Sequence, residues 1–150
     1  MSLLKLHSSP VLEIFSANTE TILDIPLFPF SISAGFPSPA LDFVDIEIDL
    51  NRHLIEHPSA TFYGRVQGES MRDAGINSGD LLVIDKSIEP ADSKIAVCYL
   101  DGEFTLKRIK IEGKAVWLMP ENEKFKPIKI EEHNNIQIWG IVTYIIKKPL

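Results

Sequence analysis

Residues 67–72 read QGESMR, and Ser70 in that stretch is a side chain able to do covalent chemistry. A serine hydroxyl is a weak nucleophile until a neighbouring base takes its proton. The four histidines, His7, His53, His57 and His133, are the first candidate bases, and none stands in a recognisable triad setting. GESMR also departs from the GxSxG nucleophile elbow, because Arg72 holds the place of the second glycine. An SxxK reading fails because Asp73 lies three residues after Ser70. Lysine is the remaining base, and it acts only when neutral. Bringing its pKa from about 10.4 to near 7 takes roughly 3 units, or about 4 kcal/mol, and burial in an apolar site is the usual cause. In EFTLKRIKI, strand alternation puts Lys107 on one face with Thr105, Ile109 and Ile111, while Arg108 and Lys110 share the other with Phe104 and Leu106. Lys107 is therefore the strand's cation with isoleucines on its own face. These residues alone leave the bland readings open: QGESMR as an ordinary turn, and Lys107 as a snorkelling edge residue.

The elements that must carry these side chains are mainly β. From Thr61 onward, TFYGRV, LLVID, IAVCYL, EFTLKRIKI, AVWLM and IQIWGIVTYII are β-branched or aromatic runs, separated by the turn signals NSGD, LDGE, IEGK and PENEK. About six strands at hairpin spacing predict a twisted antiparallel sheet or partly closed barrel. IQIWGIVTYII is too apolar for a free edge, so it is either central or part of a subunit interface. Before the sheet, residues 1–41 contain Pro10, Pro26, Pro29, Pro37 and Pro39, which predicts an extended N-terminal arm without a long helix or a regular strand period. Residues 42–150 form the body. A short helix is expected in DLNRHLIEHP, with Asp49 as cap, Leu50, Leu54 and Ile55 as an apolar face, and Pro58 as its stop.

Composition narrows the function. A 150-residue chain with 45% hydrophobic and 24% charged residues suits one globular domain. Its net charge of −6 argues against a dedicated DNA-binding surface, since affinity for nucleic acid comes mainly from cations on phosphates. The single cysteine, Cys98, permits no intrachain disulfide and no CxxC zinc site; it is expected to be a small buried side chain, and a reduced cytoplasm fits. His53 and His57 have metal-ligand spacing but no evident third ligand, so no metal is expected. Glycine-rich phosphate loops are missing, and no cofactor is implied. No apolar run reaches the roughly 18 residues of a membrane span, and no signal-peptide pattern is present. Trp117 and Trp139 read as core or interface aromatics, and Lys147–Lys148 as a basic tail too short to imply nucleic acid.

Taken together, FPFSISAGFPSPALDFVDIEIDLN, LIEHPSATFYGRVQGESM, GINSGDLLVIDKSI, DGEFTLKRIKI and WLMPENEKFKPI resemble the LexA and phage-repressor family of self-cleaving Ser/Lys peptidases, peptidase family S24, and its UmuD-like members in particular. The likeness runs from about Ile25 to Lys147. It implies the sheet type of the LexA C-terminal, signal-peptidase-like domain, with Ser70 as nucleophile, Lys107 as general base and Ala34-Gly35 as the bond cut in the chain's own arm. Ala-Gly is the pair common among LexA-like repressors, whereas the UmuD-like pattern has Cys-Gly; Glu69 stands in place of an aspartate. The resemblance further implies a homodimer, and cleavage promoted by a RecA filament on single-stranded DNA. The shortened product would join a UmuC-like Y-family subunit in an error-prone translesion polymerase of the SOS response. About 34 proline-rich residues ahead of the bond leave no room for a helix-turn-helix module, which favours this role over a repressor's. Two other readings share the residues: a non-catalytic dimeric module that regulates a polymerase, and a signal-peptidase-like enzyme, which the missing membrane anchor disfavours. Residues before Ile25 match nothing in the resemblance.

Overall fold

The structure is a computed structural model that describes residues 5–8, 10–20, 22, 24–27, 46–132 and 134–149. It comprises two compact units, one formed by Met1–Ala17 with His57–Leu150 and one by Asn18–Glu56. Strands β1 (Lys5–Ser8) and β2 (Leu12–Ser16) open the first unit; β3 (Asp24–Leu27), β4 (Ile46–Asp49) and helix α1 (Leu50–Leu54) belong to the second. The chain then returns to the first unit with β5 (Thr61–Val66), β6 (Leu81–Asp85), β7 (Ile95–Leu100), β8 (Glu103–Glu112), β9 (Ala115–Met119), β10 (Ile128–Lys129) and β11 (Ile136–Ile146).

All six strands expected after Thr61 form, and their antiparallel sheet remains open. Among the described residues it has nine strands in the order β1-β2-β5-β6-β11-β7-β8-β9-β10. β11 lies between β6 and β7, which answers the question its apolar run posed: both neighbours cover its backbone. Asp101 and Gly102 take φ of 47° and 87°, the left-handed pair that a two-residue hairpin needs to turn β7 into β8. Apolar side chains pack on both faces. Val97, Leu106, Leu82 and Ile84 join one cluster, and Ala96, Cys98, Ile109 and Ile141 the other, so IAVCYL is buried on both sides and shows no polar alternation. Trp139 packs against Phe62 and Phe104 at ring-centroid distances of 5.0 and 5.2 Å. Among the described residues, no helix is long and apolar enough to cross a membrane.

The N-terminal stretch departs from the expectation of no regular strand. Pro10 falls between β1 and β2, leaving LEIFS free to pair, with Leu12 and Ile14 at 0% and 1% exposure. Pro26 sits in β3, whose two-stranded sheet with β4 has no interior strand in which a missing N–H would be costly. Helix α1 is capped as expected, with Asp49 Oδ1 accepting from the Asn51 N–H at 3.1 Å. It ends at Leu54, before Pro58, and buries none of its own residues; of the expected apolar face, Ile55 just beyond it is buried.

Candidate functional site

Ser70 lies on the excursion between β5 and β6. The neck of this loop is closed by three backbone bonds, Val66 N–H to Asp80 O (2.9 Å), Gly79 N–H to Val66 O (2.8 Å) and Asp80 N–H to Asn77 O (3.1 Å). Asp80 Oδ2 also accepts from the Asn77 N–H at 2.8 Å, so NSGD acts as a clasp as well as a turn. Gly68, at φ 93°, reverses the chain two residues before Ser70, a conformation that a side chain would strain. Met71 is then buried beside Ile76 and Leu106, and a single 3-10 turn, Arg72–Ala74, follows. The Ser-Met pair thus has a division of labour: methionine anchors the turn in the core and holds the serine at its rim, 5% exposed.

A second loop, following β9, grips this turn. Glu121 N–H donates to Ser70 O at 2.9 Å, Asp73 N–H donates to Glu121 O at 2.7 Å, and Asn122 Nδ2 donates to Glu69 O at 2.8 Å. Asn122 is buried. Arg108 secures the loop from β8, donating from Nε to Glu121 Oε1 at 2.5 Å and from Nη1 to Ser93 O at 2.7 Å. Sequence reasoning read PENEK only as a turn, and missed Glu121, Asn122 and Arg108 as supports of Ser70. The asparagine within that turn is compatible with a capping or turn role, and nothing in its spacing shows that it reaches a carbonyl 53 residues back.

Lys107 pairs with Ala96 across the β7–β8 ladder and is the one buried cation among the described residues, 5% exposed. Burial lowers its pKa; a Cys98 thiolate would push it back up, but burial raises the Cys98 thiol to about 12, so that thiol is neutral wherever Lys107 titrates below it. Among the described residues no carboxylate pairs with Lys107; its Nζ lies 5.4 Å from the centroid of the Phe125 ring. Phe125 belongs to the same loop as Glu121 and Asn122, with its N–H bonded to Asn122 O at 3.0 Å. Ser70 and Lys107 therefore meet one loop, residues 121–125, through different contacts. No hydrogen bond joins Ser70 Oγ to Lys107 Nζ among the described contacts.

The other sequence candidates fall elsewhere. Ala34, Gly35 and His133 lie outside the described residues. His57 Nδ1 is 2.5 Å from Asp85 Oδ2, while Asp85 Oδ1 accepts from the Ser87 N–H and hydroxyl at 2.8 and 2.6 Å. Burial works against the Asp85 charge, but the Ser87 and His57 contacts outweigh it and lower the carboxyl's pKa. Among the described residues no group of three His, Cys, Asp or Glu side chains is placed to hold a metal ion. Lys147 pairs with Asp80 and so supports the neck of the Ser70 loop.

The sequence pattern described as Peptidase S24-like matches residues 26–143, which include Ser70, Lys107 and the gripping loop. Protein SamA of Salmonella typhimurium is 43% identical over 123 residues, covering 82% of this chain and 85% of SamA. Protein MucA of Escherichia coli is 39% identical over 137 residues, covering 90% of this chain and 93% of MucA. LexA repressor of Acidithiobacillus ferrooxidans is 39% identical over 119 residues, 77% of this chain and 58% of the repressor.

Proposed function

Since this chain belongs to the Peptidase S24-like family, we propose that it is a self-cleaving serine peptidase of the SOS mutagenesis response that cuts its own Ala34-Gly35 bond. The observation that carries this reading is Lys107: a buried lysine on β8, without a carboxylate partner among the described residues, whose ammonium faces the Phe125 ring of the loop that grips the Ser70 turn. A buried cation left in that state costs stability, and a lysine with lowered pKa is the base that an unactivated serine needs.

In the proposed reaction neutral Lys107 takes the Ser70 hydroxyl proton as Oγ attacks the Ala34 carbonyl carbon. The tetrahedral oxyanion is met by backbone N–H groups of the turn; among the described residues neither the Ser70 nor the Met71 N–H has an acceptor. Protonated Lys107 then gives its proton to the Gly35 nitrogen as the C–N bond breaks. Water, deprotonated by the same lysine, hydrolyses the Ala34 ester and regenerates Ser70. Because the substrate is tethered, the reaction is effectively unimolecular. Seating the arm would exclude water from Lys107 and draw Oγ and Nζ into bonding range, a tightening common between free and substrate-bound sites. A RecA filament on single-stranded DNA would favour that seated state, and the cut homodimer would serve a UmuC-like polymerase subunit in the cytoplasm.

The test is intact-mass spectrometry after incubation at neutral pH, at alkaline pH and with activated RecA filament, beside Ser70→Ala and Lys107→Ala. Fragments 1–34 and 35–150, formed faster in alkali and absent from both variants, are the expected result. An unchanged mass under every condition overturns the peptidase reading and leaves a regulatory binding module.

A further inference from the structure

Residues upstream of the proposed cut are built into the body. β2 pairs with β5 along Leu12↔Val66, Ile14↔Gly64 and Ser16↔Phe62, so it occupies the sheet position next to the strand that leads to Ser70. Leu12, Ile14 and Phe15 are 0%, 1% and 8% exposed, and Leu12 and Ile14 belong to the same core cluster as Met71 and Val66. Gly64 has no side chain where β2 passes; a Cβ there would meet Leu12 Cδ1 at 3.1 Å and Ile84 Cδ1 at 2.8 Å. Beyond the strand itself, Gln67 N–H donates to Val11 O at 2.6 Å and Gln67 Nε2 to Glu13 Oε1 at 2.5 Å, three residues from Ser70. Lys5 pairs with Glu13, and β1 covers the outer edge of β2.

The second unit, Asn18–Glu56, is thus an insertion between two parts of the first, and Ala34-Gly35 falls inside it. Within that unit β3, upstream of the bond, pairs with β4, downstream of it, through Asp24↔Asp49, Ile25↔Ile48, Pro26↔Glu47 and Leu27↔Ile46. Two strand pairings therefore span the cut without passing through the bond that is broken.

We infer that the upstream piece is not released by cleavage. It stays as the β1–β2 hairpin of the sheet, and the product is a two-chain species in which residues 1–34 support β5, the strand that leads to Ser70. The inference rests on the proposed cut at Ala34-Gly35. Its physical content is that hydrolysis removes a covalent link within the insertion while leaving the β2–β5 ladder and its core contacts intact. Departure of the piece would bare Val66, Met71 and Ile84 and leave an unpaired β5 edge, a state prone to pair with another chain.

The full chain is allowed to cut itself, then passed through size exclusion in native buffer and in denaturant, with intact masses taken across each peak. Both pieces are expected in one native peak and in two denatured ones, with the Gln67 amide still protected from hydrogen exchange after the cut. A native peak that holds residues 35–150 alone overturns the inference. Should the chain fail to cut, the peptidase reading falls instead, and the same readout is applied to a chain whose residues 32–37 are replaced by the site of a sequence-specific endoprotease. Leu12→Ala with Ile14→Ala should speed escape of the small piece by about 1,000-fold or more. The exposed Leu6→Ala should leave the rate unchanged. Equal escape rates from parent and double variant would also overturn the inference.

Discussion

Asn122→Ala tests whether the 121–125 loop sets the position of Ser70. The substitution deletes two hydrogen bonds, Nδ2 to Glu69 O at 2.8 Å and Lys124 N–H to Oδ1 at 3.0 Å. Each is worth about 1 kcal/mol net, and a carbonyl left bare in a dry site would add to that. Glu69 itself is exposed, so water can reach its carbonyl and the total stays near 2 kcal/mol. For a chain of this size that corresponds to a fall of about 4–8 °C in Tm. Two backbone bonds, Glu121 N–H to Ser70 O and Asp73 N–H to Glu121 O, still hold the turn, so it shifts but does not dissolve. A displacement approaching 1 Å costs on the order of 100-fold in rate, so a slowing of about 10- to 100-fold is expected. Urea denaturation would measure the first effect, and densitometry of self-cleavage at a temperature where both proteins are folded the second. Asn134→Ala is the matched control: its Nδ2 also bonds a carbonyl, that of Lys129, on an exposed turn, and its removal should change neither quantity. If Asn122→Ala loses stability as expected yet cuts at the parental rate, the loop does not position the serine.

Two further outcomes follow from the titrating groups. Lys107 has a folded-state pKa below its unfolded value, so its burial penalty is present in full below the folded pKa. The penalty disappears as pH rises past the ordinary lysine value of about 10.4. Lys107→Met should therefore abolish cleavage while raising stability at neutral pH, with a gain that vanishes in strong alkali; denaturation midpoints across pH 7–11 would check it, and a uniform gain would count against burial as the cause. The Asp85 carboxyl has the opposite effect, being depressed in the folded state, so it stabilises above its unfolded value of about 3.8 and loses that contribution as pH falls through the folded pKa. Asp85→Asn should cost about 1–3 kcal/mol at neutral pH, and the gap from the parent should narrow as acid melts go below the unfolded value of about 3.8; a gap that stays constant across that acid range would refute the charge as its source.

The strands, the turn that carries Ser70 and the burial of Lys107 were legible because each is a local property. Period-two alternation, β-branched runs and glycine-marked turns act over a few residues, and the structure realises all six strands they predict after Thr61. Parity in EFTLKRIKI likewise put Lys107 with Ile109, and both are buried. The tertiary structure alone decided what supports them. Asn122 reaches Glu69 across 53 residues, and Gln67 reaches Glu13 across 54; no local pattern encodes a hydrogen bond to a carbonyl or carboxylate that only the fold brings near. The β2 strand was hidden for the same reason. LEIFS is too short and too close to Pro10 to declare itself, and it becomes a strand because β5 offers a free edge and the core offers room for Leu12 and Ile14. Propensity over five residues is a weak force, while burial of two aliphatic side chains in a packed core is a strong one, and the second exists only once the sheet has formed.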